Sequence, residues 1–350
     1  GETGRGTEQE QAWLDTFIGG IKQYLDIGIG VDGGAMEGAG YTSACLYYLT
    51  FPAEALRRAG GESLFEHERL RKVWDYYLYE ALPGGNYFGN VNDAFYHAHT
   101  SFLPLYARIY ERPELTWLWE HVTGHRTDPS DIYGDGRNAA QPTLNYIILW
   151  HALAPEARTP EQVNKPLSAR FSRRGMVLAR SGWGPDDCLL SFICGGDPEY
   201  GHRQYDAGHF SLYREPSALA GDSGYGGKNT EDHNGVLFDG KGQQLKCAEG
   251  RITAYEPGEL ATYACGNLGD LYNNEALRSY SRHILFCHDK QRPYMVVYDE
   301  LEADGAEHTY TWVMQGINAT GFMISGEGMR FDLSGEYQVM FLPSISQVTV

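Results

Sequence analysis

No stretch of the chain approaches the run of about 20 apolar residues that a membrane-spanning helix needs. Its opening residues hold no basic segment followed by an apolar one, the pattern of a secretory signal. Positive charge is scarce as well: 28 Lys and Arg stand against 46 Asp and Glu, a formal net charge of −18. Phosphate-rich partners want a basic footprint, so neither a nucleic acid nor a membrane is an expected partner. The six cysteines (Cys45, Cys188, Cys194, Cys247, Cys265 and Cys287) form no CxxC pair. That excludes a zinc ribbon or a dithiol redox motif and leaves buried free thiols as the expectation. Internal repeats and low-complexity tracts are missing too.

What remains is a chain of 350 residues, 42% hydrophobic and 21% charged, long enough for a sizeable core. Its 25 Tyr and 7 Trp suit a sugar-binding cleft, where ring faces stack on pyranoses, and suit Tyr-rich sheets equally well.

Two periods divide the sequence. In TEQEQAWLDTFIGGIKQYLD the residues Trp13, Leu14, Phe17, Ile18, Ile21, Tyr24 and Leu25 recur at steps of three and four, giving one apolar helical stripe. Similar patterns run through YTSACLYYLTFPAEALRRAG, LFEHERLRKVWDYYLYEAL, DAFYHAHTSFLPLYARIYER, PELTWLWEHV and QPTLNYIILWHALA. Helices separated by short Gly, Pro and Asn breaks read as antiparallel hairpins. Beyond the Pro-bearing connector TPEQVNKPLSARF come short β-branched and aromatic runs: GMVLAR, CLLSFIC, HFSLYR, GVLFDG, RHILFCH, YMVVYDEL and HTYTWVMQ. Turn residues bound each of them, which is the pattern of an antiparallel sandwich. The expected fold class is α+β in two domains: helical over residues 1–160, an antiparallel β-sandwich over 166–350.

Chemistry concentrates in GHRQYDAGHFSLYREPSALAGDSGYGG, residues 201–227. Read as a strand, it places His202, Gln204, Asp206 and Gly208 on one face, so Asp206 is expected to orient the His202 ring and His209 to be structural. Asp222 and His233 are a carboxylate and an imidazole able to hold an ion if a third ligand joins them; otherwise they form a plain hydrogen bond.

These residues resemble the heparinase II/III-like polysaccharide lyases. The resemblance rests on RFSRRGMVLARSGWGPDDCLLSFICGG, on the 201–227 segment, on DHNGVLFDGKGQ, and on the later RHILFCHDKQRPYMVVYDELEADGAEHTYTWVMQ. In the helical half, DGGAMEGAGY (Asp32 to Tyr41) is similar to the family's Asp-Gly-x-x-x-Glu-x-x-x-Tyr stretch, whose Tyr is catalytic. The sequence departs from the family at its His-x-His pair, which here reads His202-Arg203-Gln204. In the family the second His commonly ligates zinc, whereas the neutral amide oxygen of Gln204 suits a harder ion.

The resemblance implies a partial α/α toroid beside the sandwich. It also implies cleavage of a uronic-acid polysaccharide by β-elimination, removing the C5 proton and expelling the C4 oxygen. That chemistry asks for a group neutralising the carboxylate, a base and an acid. Tyr41 is the expected acid, with a possible share in base work, and His202 the expected base or charge neutraliser. Glu37, Tyr225, His97, His99 and Arg251 are candidate substrate contacts, with Arg282 a further cleft candidate. Asp222, His233 and Gln204 are the implied ligands of one divalent metal ion, zinc or a harder ion such as calcium or manganese. An extracytoplasmic (periplasmic or secreted) location follows from a polysaccharide substrate. Two other readings stay open: a uronate C5-epimerase on a similar scaffold, and a carbohydrate-binding protein that lost the chemistry.

Overall fold

Thr7 opens the first helix, α1 (Glu8–Gly28), with a capping box: its hydroxyl accepts from the Glu10 amide and the Glu10 carboxylate accepts from the Thr7 amide. The computed structural model describes residues 7–84, 87–94, 98–123, 150–195, 202–214, 217–245, 251–316, 319–325, 328–333 and 337–341. The apolar stripe of α1 is buried only in its second half. Ile21 and Leu25 enter the core, while Trp13, Leu14 and Phe17 stay exposed, because no described element covers the first turns.

Four more helices are described: α2 (Gly38–Arg58), α3 (Glu68–Glu80), α4 (Leu103–Ile109) and α5 (Pro113–Thr123). The pattern QPTLNYIILWHALA falls almost wholly outside the described residues. Among the described residues of DAFYHAHTSFLPLYARIYER, helix forms as α4, with Pro104 in its first turn. Upstream of it the chain is irregular: Asn92 takes φ +64°, and the turn formers Gly89, Asn90, Asn92 and Asp93 favour a loop over a helix. No described helix is long and apolar enough to cross a membrane.

Every described strand pairing is antiparallel. One sheet runs in sequence order through β1 (Ser168–Phe171), β2 (Met176–Arg180), β3 (Leu189–Ile193), β4 (Phe210–Arg214) and β5 (Ser217–Ala220). After the short β6 (Val236–Phe238), a second sheet has the order β10-β9-β8-β7, built from β7 (Ile252–Pro257), β8 (Ala261–Asn267), β9 (Leu277–Cys287) and β10 (Met295–Ala303). β6 pairs with β11 (Tyr310–Trp312), and β12 (Ala319–Ser325), β13 (Gly328–Leu333) and β14 (Tyr337–Phe341) form a meander.

The first sheet is covered on both faces. Met176 and Leu178 of β2 join the helical core with Trp74, Tyr76 and Phe102. Val177 and Ala179 point the other way, into a second core with Ala264, Ile284 and Phe286. A strand with two buried faces has no polar alternation, which is why MVLA reads as one continuous apolar run. Arg180 closes the strand against the helices. Its buried guanidinium donates to the carbonyls of Tyr79 and Ala81, both at 2.8 Å, and so satisfies the end of α3.

Glu80, the last residue of α3, is fully buried beside Tyr76, Arg174 and the backbone of Ala39. Burial pushes its carboxyl up to about 8, against the pull of Arg174. The folded protein therefore holds a proton that the unfolded chain releases near 4.5, so this group's stabilisation is full below that pH and is lost as pH rises to about 8. Urea midpoints of the wild type should fall across this window. Those of Glu80→Gln should stay flat there, and equal slopes for the two proteins would contradict the assignment.

Candidate active site

Tyr41 lies in the first turn of α2, whose N-cap is Glu37. Its ring stacks on that of His202, with centroids 3.7 Å apart and planes 14° from parallel. The stack unites the helical half with the segment that precedes β4. Tyr225 forms a tilted wall beside it, 6.3 Å from Tyr41, and is exposed.

The strand alternation expected over residues 202–208 does not occur. His202 adopts φ +61° and Gly208 φ +85°, so the chain turns here and β4 begins only at Phe210. A left-handed His is uncommon. What fixes it is Asp93, whose Oδ2 lies 3.3 Å from His202 Nδ1. Asp93 also accepts from Gln204 Nε2 at 2.9 Å on Oδ1, and from Lys228 Nζ on Oδ2. Burial alone would raise the Asp93 carboxyl, but the hydrogen bonds from Lys228, Gln204 and His202 outweigh it and hold the group below the usual carboxylate range. An ionised carboxylate only accepts, so His202 Nδ1 is the donor, and in the neutral ring Nε2 then keeps its lone pair. Asp206 is not the orienting group. It is buried, and its charged neighbours are His233, Arg174 and Asp222.

Asp93 was hidden in the sequence inside an apparent helix. The signal that could have found it is the run GNVND, rich in loop formers. The same loop is pinned further along. Asn90 accepts no slack there, since its amide donates to Tyr213 Oη at 3.2 Å and its side chain to the Asp222 carbonyl at 3.2 Å. Gly224 (φ +55°) is required at this junction, because a Cβ would meet the Ala94 carbonyl oxygen at 2.6 Å.

Of the other candidates, Glu37 borders the stack; burial raises its carboxyl and the nearby His202 opposes the rise. His99 sits deeper, with its ring 5.1 Å from Tyr47 and its charged form disfavoured by burial. His97 lies outside the described residues. Arg251 is engaged by Asp270. Arg282 is no cleft residue: it is completely buried, paired with Asp299, and donates to the carbonyls of Gly208 and Asn234 at 2.7 and 2.6 Å. It braces the two turns that carry the site. The five described cysteines are free.

No protein-family model and no curated protein sequence matches the chain. Solved structures do. A heparinase III superposes with a TM-score of 0.65 at 18% identity, over 95% of this chain and 50% of its own. A heparinase III with methylated lysines gives 0.65 at 17%, over 93% and 46%. A heparan sulfate lyase HepC mutant from Pedobacter heparinus gives 0.60 at 18%, over 85% and 43%. The chain has the heparinase III fold. It spans about half the length of these proteins.

Within this heparinase fold, His209, Asp222 and His233 form a buried cluster whose potential ligand atoms lie within 4.8 Å of one another. His209 does not fit as a ligand, however. Its Nδ1 accepts from the Asn234 amide at 3.0 Å. Burial depresses its pKa to about 3, so the neutral ring carries its proton on Nε2. That nitrogen faces Ser211 Oγ at 2.8 Å and Asp222 Oδ2 at 3.2 Å. His209 is thus the buried, hydrogen-bonded structural residue expected from the sequence, bound to Ser211 on one side and to the Asn234 amide on the other. By contrast, Gln204 Oε1, Asp222 Oδ2 and the ring nitrogens of His233 are buried and lack well-formed hydrogen bonds among the described residues, with His233 Nδ1 lying 3.3 Å from Asp222 Oδ2. Such orphaned groups are costly, and a cation is one way to satisfy them. Asp222, His233 and Gln204 supply the donor types an ion would take, and an ion held there would pin the 222–227 turn to the residues before β6.

A divalent ion at this place should be stoichiometric by elemental analysis of the purified protein, and chelation should lower the melting temperature. Metal-free protein whose melting ignores chelator would leave Asp222 and His233 as a directly bonded pair.

Proposed function

We propose that this chain carries the catalytic core of a polysaccharide lyase that cleaves a uronic-acid-containing glycosaminoglycan of the heparan sulfate class by β-elimination. The observation that supports this best is the Tyr41–His202 stack, 3.7 Å apart, with the ionised Asp93 behind the imidazole. The shared fold with heparinase III and with a heparan sulfate lyase points the same way.

On this reading His202 Nε2 takes the C5 proton of the uronate. The C5–H electrons become the C4–C5 double bond, the C4–O bond breaks, and the Tyr41 hydroxyl gives its proton to the departing oxygen. His202 gains one proton and Tyr41 loses one, so solvent need only return a proton from one stacked ring to the other. The imidazolium formed in the step faces the Asp93 carboxylate, which stabilises it. A metal held by Asp222, His233 and Gln204 would act by fixing the turn below Tyr225. The helices would form part of an α/α toroid over residues 1–160, set against a sandwich over 166–350, and a polymeric substrate would be met outside the cytoplasm.

The test is a near-ultraviolet absorbance screen for unsaturated uronate on heparan sulfate, chondroitin, hyaluronan, alginate and ulvan. Absorbance should grow on heparan sulfate. Tyr41→Phe and His202→Ala should each lower turnover about 100-fold or more, with melting curves that superimpose on the wild type. Saturated, epimerised product or near-normal turnover of both variants would overturn the proposal.

A further inference from the structure

β-Elimination next to a carboxylate works only if the charge spreading onto that carboxylate is stabilised. Three described arginines are committed elsewhere: Arg174 donates to Asn92, Arg282 pairs with Asp299, and Arg251 pairs with Asp270. Lys228 is different. Its backbone is fixed, since its carbonyl accepts from the Tyr205 amide at 2.9 Å, and the next residue, Asn229, caps a short turn through a capping box with Asp232. Its side chain is half-exposed (49%), with Nζ on Asp93 Oδ2 and 5.9 Å from the centre of the Tyr225 ring.

An ammonium has three donors. The Asp93 contact uses one of them, and Asp93 itself is already shared with His202 and Gln204. The remaining hydrogens of Lys228 are directed away from Asp93 on a side chain that solvent reaches, beside a ring that itself lies beside Tyr41. A fixed backbone, an accessible cation and two adjoining aromatic rings are what a sugar acid would meet on entering.

We propose that Lys228 is the specificity-determining cation of the cleft, its ammonium receiving the carboxylate of the uronate unit that loses its C5 proton. This rests on the lyase reading above. It gives an acidic protein a local positive group exactly where an acidic substrate needs one, without requiring a basic surface.

The experiment is a cycle of Lys228 variants against substrate carboxyls. Calorimetry in a Tyr41→Phe background measures binding of a heparan sulfate oligosaccharide and of its carboxyl-reduced and its desulfated forms. Lys228→Met should weaken binding of the native oligosaccharide about tenfold or more, the scale of one charge-assisted hydrogen bond, and should leave the carboxyl-reduced form unaffected. Lys228→Arg should restore most of the affinity. In steady-state rates with Tyr41 intact, Lys228→Met should raise KM as well as lower kcat; a role confined to holding Asp93 would lower kcat alone. Unchanged affinity, an equal loss on the carboxyl-reduced form, a loss that follows sulfate instead, or no binding by the parent protein would each overturn the inference. Carboxyl-dependent binding through Lys228 without unsaturated product would sink the lyase reading and leave this site standing.

Discussion

One carboxylate joins the two halves of the site. Asp93 is nearly buried, its side chain 6% exposed, and an unpaired charge there would be costly. Three donors meet it, from His202, Gln204 and Lys228. All three belong to the segment around β4 and β5, whereas Asp93 belongs to the loop between α3 and α4. The same contacts that satisfy the charge therefore fix the left-handed turn at His202 and hold its ring flat on Tyr41. Without them the imidazole would have no reason to stay in an uncommon backbone conformation, and the proposed base would lose its defined tautomer.

The layers behind this contact keep it in place. β2 contributes one face to the helical core and the other to the second sheet, so neither can shift without disturbing a close-packed interior. Buried guanidiniums bridge elements that the apolar cores alone would not orient: Arg180 caps α3, and Arg282 gathers the carbonyls of Gly208 and Asn234 next to His209 and His233. His209 in turn bonds Ser211 Oγ through Nε2, while its Nδ1 accepts from the Asn234 amide. Buried polar networks of this kind specify a single arrangement when fully satisfied.

Much of the fold was legible because its periods are strong. The three- and four-residue steps mark α1, α2, α3 and α5, and the apolar runs GMVLAR, CLLSFIC, RHILFCH and YMVVYDEL coincide with β2, β3, β9 and β10. Failures came where tertiary contacts override local pattern. Residues 202–208 alternate like a strand yet turn, because Asp93, distant in sequence, captures His202. Residues 93–102 have helical spacing, but satisfying His202, Gln204 and Lys228 takes Asp93 into a loop. Tyr41, His202 and Tyr225 were named from the sequence and do come together. Asp93 showed only as part of the loop-forming run GNVND and Lys228 not at all, since a carboxylate and an ammonium become informative only when folding brings them together. His209, expected to be structural, is buried and hydrogen-bonded to Ser211 and to a backbone amide 25 residues away.

The central claim is that Asp93 leaves the outward nitrogen of His202 bare. Nitrogen-15 NMR of histidine-labelled protein at neutral pH reads this directly, with His202→Gln supplying the assignment. The account predicts a His202 ring protonated on Nδ1 and unprotonated on Nε2, with that preference lost in Asp93→Asn. A wild-type ring carrying its proton on Nε2 would contradict it.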